Sequence, residues 1–350
     1  MKIRIPLLLA LAAVTPILPG APARPHDANP QTSGDSPSEK SLTALVAEGD
    51  HLTAVGRLEP ALAVYSEGLA QRRKLSQEAP ADAHRLRNVS VSLNIVGDTL
   101  MALGRNDEAR ADFSEAREIA RRLSLQDPSN TELQRDAGIF LNRIGEIYLR
   151  QGEISHAALI FSEALPIFRK LAETDPADLQ WQRDLGITLN KTGKVAAAQG
   201  HYAEALLAYQ EALALRRKLA QSDPTNTKWQ RDVAVSLTNL GDAYLALDRT
   251  DSARKAFTES LEIKRHLAQA APDNLQFQRD LWVSYWSLGT FCQKTDRSAE
   301  AKTWFERARA GITAMKDQNR LAPSDVGRLP QLDALLAALP PAADAQDTPK

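Results

Sequence analysis

The chain has 350 residues, 43% hydrophobic, 25% charged and only 5% aromatic. Lys plus Arg number 43 against 44 for Asp plus Glu, so electrostatics give no case for nucleic acid or an anionic membrane surface as partner. Cys292 is the single cysteine, which excludes an intrachain disulfide, and it lies too far along the chain for N-terminal lipid attachment.

The first predicted element is a leader. Lys2 and Arg4 precede an apolar run from Ile5 to Leu18, and Pro19-Gly20-Ala21-Pro22-Ala23 supplies a small-residue cleavage site. That pattern describes a signal peptide over 1–23, cleaved after Ala23, with export to a periplasm or full secretion. The run is short and broken by Pro6 and Pro16, so no membrane insertion is expected after cleavage. Residues 24–39, rich in Pro, Ser and Asp, read as a disordered linker.

From there the chain repeats. Gln-Arg-Asp stands at Gln134-Arg135-Asp136, Gln182-Arg183-Asp184, Gln230-Arg231-Asp232 and Gln278-Arg279-Asp280, each step 48 residues. Glycine recurs in the same register at Gly49, Gly97, Gly145, Gly193, Gly241 and Gly289. So does an aromatic residue, at Tyr65, Phe113, Phe161, Tyr209, Phe257 and Phe305, with an alanine column beginning at Ala61 and a small-residue column beginning at Gly68. The units fall near 38–85, 86–133, 134–181, 182–229, 230–277 and 278–325.

Within one unit the signals are helical. Asn130 can cap a helix that Gly152 stops, and a second helix over about 153–173 ends before Asp175-Pro176. Ile139, Leu141, Ile144, Tyr148 and Leu149 form an apolar face at helical spacing. Pro166, inside the second helix, is expected to kink it. One hairpin cannot bury its face alone, so the pairs must stack. The last unit carries Trp282 where others have Ser90, Gly138, Gly186 and Ala234; residues 326–340 read as a capping helix, and 341–350 as a disordered tail.

Leu240-Gly241, Tyr244, Ala253, Phe257 and Ser260 in one unit resemble the tetratricopeptide repeat, as do Ile144-Gly145, Tyr148, Gly152, Ala157, Phe161 and Ala164 in another. The resemblance covers 38 to about 325 and departs from the family in length, 48 residues per unit instead of the usual 34 or so. It implies an all-α solenoid of about six antiparallel helix hairpins, a right-handed superhelix closed by the C-terminal helix, whose concave groove grips extended peptides.

No catalytic pattern is present. The six histidines fall in no metal-ligand spacing, and there is no phosphate loop, nucleophile elbow or Cys/His motif, so neither catalytic nor metal residues nor a cofactor are expected. Cys292 reads as a buried structural thiol. The repeated Arg and Asp of Gln-Arg-Asp, with Arg73, Arg121, Arg169, Arg217 and Arg265 late in the second helices, read as solvated register devices. Trp181, Trp229 and Phe277 read as packing between repeats.

The binding candidates lie around the glycine column: Asn94, Asn142, Asn190, Thr238 and Trp286, then Arg143, Lys191, Asn239 and Ser287, then Asp98, Glu146, Lys194, Asp242 and Thr290. These columns form polar stripes on successive first helices. An Asn amide both donates and accepts, so a row of Asn could bracket a peptide backbone while Arg143, Lys191 and Lys194 attract acidic groups. A solvated polar face, or bonds within one helix, is the plainer reading of the same Asn row. The expected function is a non-catalytic scaffold for protein or peptide partners. Alternatives are a structural subunit of an assembly and, further off, an enzyme or small-molecule sensor.

Overall fold

The computed structural model describes residues 37–318, 320–322 and 325–339. The leader 1–23, most of the linker and the tail 341–350 lie outside the described residues. Thirteen α-helices, and no strand, occur among the described residues: α1 (Pro37–Ala54), α2 (Leu58–Glu78), α3 (Ala83–Ala102), α4 (Asn106–Gln126), α5 (Thr131–Gln151), α6 (Ile154–Thr174), α7 (Leu179–Ala198), α8 (Tyr202–Ser222), α9 (Thr227–Ala246), α10 (Thr250–Ala270), α11 (Leu275–Lys294), α12 (Ser298–Asp317) and α13 (Arg328–Ala338). They fall into two compact units divided between Pro176 and Ala177, one holding α1–α6 and the other α7–α13. Inside each unit every helix packs on the next in chain order. Residues 37–39, read as linker, belong to α1 instead, because a proline in the first helical turn gives up only an N–H that has no helical partner.

Both ends of the hairpins keep the 48-residue register. First helices start at Asp82, Asn130, Asp178, Asn226 and Asn274, each side chain accepting from a backbone N–H two or three residues on. The turn within each hairpin places Gly56, Gly104, Gly152 and Gly200 at φ 77° to 82°, and Asp248 and Asp296 at φ 57° and 56° in the last two. Left-handed backbone suits glycine and is tolerated by a short polar side chain. α6 runs on through Pro166.

The glycine column exists because the helices of a hairpin meet there. A Cβ added at Gly97, Gly145, Gly193, Gly241 or Gly289 would lie 2.5 to 2.8 Å from the ring of Phe113, Phe161, Tyr209, Phe257 or Phe305 respectively. The ring fills the notch that the missing side chain leaves. Gly193→Ala is therefore expected to cost about 1–3 kcal/mol through overpacking, read as a lower urea midpoint with unchanged slope. An unchanged midpoint would show that Tyr209 can move aside.

A second column varies in chemistry while its packing is conserved. Phe168 fills the space over Gly138, and Arg216 lies over Gly186. In the last hairpin the large residue is on the first helix, where Trp282 meets Gly311 and joins Ile312 in the core. The same register carries Arg72, Ala120, Phe168, Arg216, Lys264 and Ile312. Two of these cations, Arg216 and Lys264, are buried in the second unit at 4% and 3% exposure.

Candidate functional site

The faces that the first helices leave open are defined by burial. In α7 the accessible residues include Arg183, Ile187, Lys191, Lys194 and Ala198, which share one helix face. The matching residues are Arg87, Val91, Ile95, Asp98 and Ala102 in α3; Arg135, Ile139, Arg143 and Arg150 in α5; Arg231, Val235, Asp242 and Ala246 in α9; and Val283, Ser287, Thr290 and Lys294 in α11. Half-exposed β-branched residues, Val91 and Ile139 in one unit and Ile187, Val235 and Val283 in the other, are the apolar part of each unit's open face. Sequence reasoning missed them, although they hold the same 48-residue register.

The Asn column sits to one side of that face. Asn142, Asn190, Thr238, Asn239 and Glu146 are buried, and Asn94 is half-buried. Asn190 shows why. With its amide oxygen turned to suit its donors, it accepts from both terminal nitrogens of Arg216 and from the Ser236 hydroxyl. Arg216 also donates to the Asp232 carbonyl at 2.9 Å and to Ser236 Oγ at 2.8 Å. The amides of Asn190 and Asn239 lie 3.3 Å apart. These side chains tie second helices to first helices and present little surface to a ligand. Asn94 is more open than Asn142, Asn190 and Asn239, although its amide oxygen is buried and lacks a hydrogen bond.

Charge on the open faces differs between the units. In the first, Arg143 Nη2 donates to Asp98 at 2.9 Å, and Arg150 Nη2 donates to Glu146 at 3.1 Å. Burial pushes the Asp98 carboxyl above its usual range, against the pull of Arg143. In the second, Lys191, Lys194, Lys294 and Asp242 are the charged residues at these positions of α7, α9 and α11. Asp242 is open to solvent by surface area, yet surrounding protein holds off enough bulk water to push its pKa up to about 6. Lys294, Lys264 and Lys194 pull the other way. Lys264 donates to Thr238 Oγ1 at 2.9 Å, and its burial lowers its pKa to about 8.

Trp286 is half-buried with the Arg328 guanidinium 5.8 Å over its ring, so α13 holds one side of it. Nearby, Tyr285 stacks on Trp304 at 5.8 Å, and Arg307 covers Trp304 at 4.8 Å. Ser287 and Thr290 lie half-exposed on the same helix.

The Gln-Arg-Asp residues are less solvated than their sequence suggests. Arg183 and Arg231, and Arg87 at the same register one copy earlier, reach the Asp 49 residues on: Arg87 to Asp136 at 2.7 Å, Arg183 to Asp232 at 2.9 Å, and Arg231 to Asp280. Asp136, Asp232 and Asp280 are buried. Arg279 closes the series differently, gripping Asp325 through two bonds of 2.5 and 2.7 Å.

The remaining features are bland. Cys292 is buried, which raises its thiol pKa, and no group of three or more His, Cys, Asp and Glu that could hold a metal occurs among the described residues. No described helix is long and apolar enough to cross a membrane. An open cleft of about 640 Å³ between α2, α3 and α4 is lined by Leu62, Leu69, Leu100, Arg73 and Asp112, whose pKa burial pushes up to about 6.

Stacked hairpins with an open, part-apolar first-helix face define an all-α helical-repeat protein. The sequence also matches tetratricopeptide-repeat models over residues 89–128, 185–225 and 234–266, the hairpins α3–α4, α7–α8 and α9–α10. Over these hairpins the chain carries tetratricopeptide repeats. No curated protein matches it. Among solved structures it is similar to BtubC (BKLC) from P. vanneervenii, with TM-score 0.55 and 20% identity, covering 74% of this chain and 92% of that one. It is also similar to a Rap protein complexed with competence and sporulation factor, with TM-score 0.53 and 13% identity over 87% of this chain and 78% of that one. A third is the apo form of RapI, at TM-score 0.51 and 10% identity over 85% and 95%. At these identities the likeness is one of fold.

Proposed function

We propose that this chain is a non-catalytic scaffold that holds an extended segment of a protein or peptide against the open face that the first helices present within a unit. The observation that carries the reading is the β-branched stripe, repeated every 48 residues and left half-exposed between charged columns. A folded monomer gains nothing by leaving such a stripe uncovered, whereas an extended chain can lay alternate side chains on it. The neighbour solved as a complex with competence and sporulation factor supports a protein or peptide as the partner class. On this reading Asn94, Asp98, Arg143, Lys191, Lys194, Asp242 and Trp286 are the candidates within reach of a ligand. Asn142, Glu146, Asn190 and Asn239 hold those residues in place.

The test is a plug. Peptides selected on the full chain from a displayed random library are measured again on Ala246→Trp, which puts an indole on an exposed position of the α9 face, and on Leu207→Trp, at an exposed position of α8. Ala246→Trp is expected to weaken binding by about tenfold or more, and Leu207→Trp by less than about twofold. Equal effects, or a loss confined to Leu207→Trp, would move the binding surface to the second helices.

A further inference from the structure

We propose that the cleft between α2, α3 and α4 binds a small organic amine, its protonated nitrogen against the Asp112 carboxylate and its apolar body on Leu62, Leu69, Val96 and Leu100. The cleft holds about 640 Å³, within the range of small-molecule sites, and joins apolar walls to a few polar groups. Val96 and Leu100 lie on the side of α3 away from Val91 and Ile95, so this site is separate from the open face. Asp112 breaks a register. The same position of the other second helices carries Val64, Ile160, Ala208, Ala256 and Trp304, all apolar. Ile160 and Trp304 use that position to pack against the hydrophobic core. In α4 a half-buried carboxylate stands there instead and lines the cleft.

Charge decides what the cleft takes. Arg73 donates to Glu115 at 2.5 Å, and Arg105 grips Glu108 through bonds of 2.7 and 2.6 Å, so both guanidinium groups already have carboxylates. Asp112 forms no hydrogen bond or ion pair among the described residues. Burial, helped by repulsion from Glu115 and Glu108, outweighs the pull of Arg73 and pushes its carboxyl up to about 6. Lys74, the remaining cation of the lining, is exposed. A carboxylate half removed from water and without a counter-ion opposes folding. Its presence where the other repeats keep an apolar residue points to a ligand that supplies the missing charge. An ammonium does so, and the apolar walls favour a hydrophobic body attached to it.

The experiment titrates the full chain with phenylbutylamine, phenylbutanol and phenylbutyrate by calorimetry, and follows the Asp112 carboxyl by carbon NMR. At about pH 7.5 the amine is expected to bind about tenfold or more tighter than the neutral alcohol, and the carboxylate least tightly. Asp112→Asn should remove that preference. Asp112→Ile, which installs the residue of the matching α6 position, should abolish amine binding while raising the melting temperature. Asp107→Asn, on the side of α4 that meets Gln151, should change affinity by less than about twofold. The free Asp112 carboxyl should titrate near 6 and shift lower when the amine is bound. Affinity is then complete above that value and falls with pH, by about fivefold or more between pH 7.5 and 5. Arg73, Arg105 and Lys74 stay charged over this range, Arg105 holds the Glu108 carboxyl low, Glu115 is bonded to Arg73, and the α3 lining carries no charge. A free Asp112 pKa of about 4 or lower would show Lys74 already acting as counter-ion and overturn the site. Equal binding of amine and alcohol, an unchanged amine affinity in Asp112→Asn, or a preference for the carboxylate would each overturn the ammonium assignment. So would the absence of saturation by the amine up to about 10 mM.

Discussion

Asp325→Ala is expected to lower the unfolding free energy by about 3–5 kcal/mol, the loss typical of breaking one side of a buried pair. Arg279 and Asp325 have side chains only 5% and 1% exposed, and the carboxylate takes two donors from the guanidinium. Without it the charge would be stranded: Arg279 Nη1 already lacks a hydrogen bond, and the Trp282 ring, 5.7 Å away, offers only a weak cation–π contact. The comparison that isolates burial is Asp136→Ala. There Arg87 is more open to water and keeps a second carboxylate, Glu132, at 2.5 Å. That change should cost about 1–2 kcal/mol. Urea unfolding of the two variants decides it: equal losses would mean that burial does not set the value of these pairs. The double variant Arg279→Met/Asp325→Leu should recover most of the loss, since replacing a buried ion pair by apolar groups is often near neutral.

The pair also explains how the repeat stops. A seventh unit would place an acid 49 residues beyond Arg279, but that position holds Arg328. Asp325, from the segment leading into α13, supplies the carboxylate instead. The end of the chain thus provides the one group that the last first helix still needs.

How much of this could be read from sequence follows from which interactions repeat. The glycine and aromatic columns contact each other in every hairpin, so each was visible as a column, and the hairpins followed from them. The N-cap column from Asp82 to Asn274 was equally periodic, yet only Asn130 was used. The open face was harder. Val91 and Asn94 are three residues apart on α3, close enough that either could have been the exposed edge; burial alone shows that the β-branched column is open and most of the Asn column is covered. The Asn190–Arg216 contact left no trace. Its second-helix position changes from Arg72 to Ala120 to Phe168 before returning to a cation, so no period announced it. Likewise the partner of Arg279 lies off the register, at Asp325.

Lys264→Met is expected to raise stability, and to do so by an amount that depends on pH. Burial lowers the Lys264 pKa from its ordinary 10.5 to about 8. Between those values the unfolded chain binds a proton that the folded one has released, so stability rises with pH there. Below about pH 8 both forms are charged and the full desolvation cost is present, of order 3 kcal/mol for a shift of this size. Methionine removes that cost, so the gain at pH 7 should be about 2–3 kcal/mol, shrinking above pH 8 and gone near 10.5. The hydroxyl it abandons remains satisfied, because Thr238 lies 2.9 Å from Ser260 Oγ and donates to the Ala234 carbonyl. Urea unfolding at pH 7, 9 and 10 reads the trend. A loss of stability at pH 7, or a difference flat across pH, would show that Lys264 is compensated by something other than the Thr238 bond.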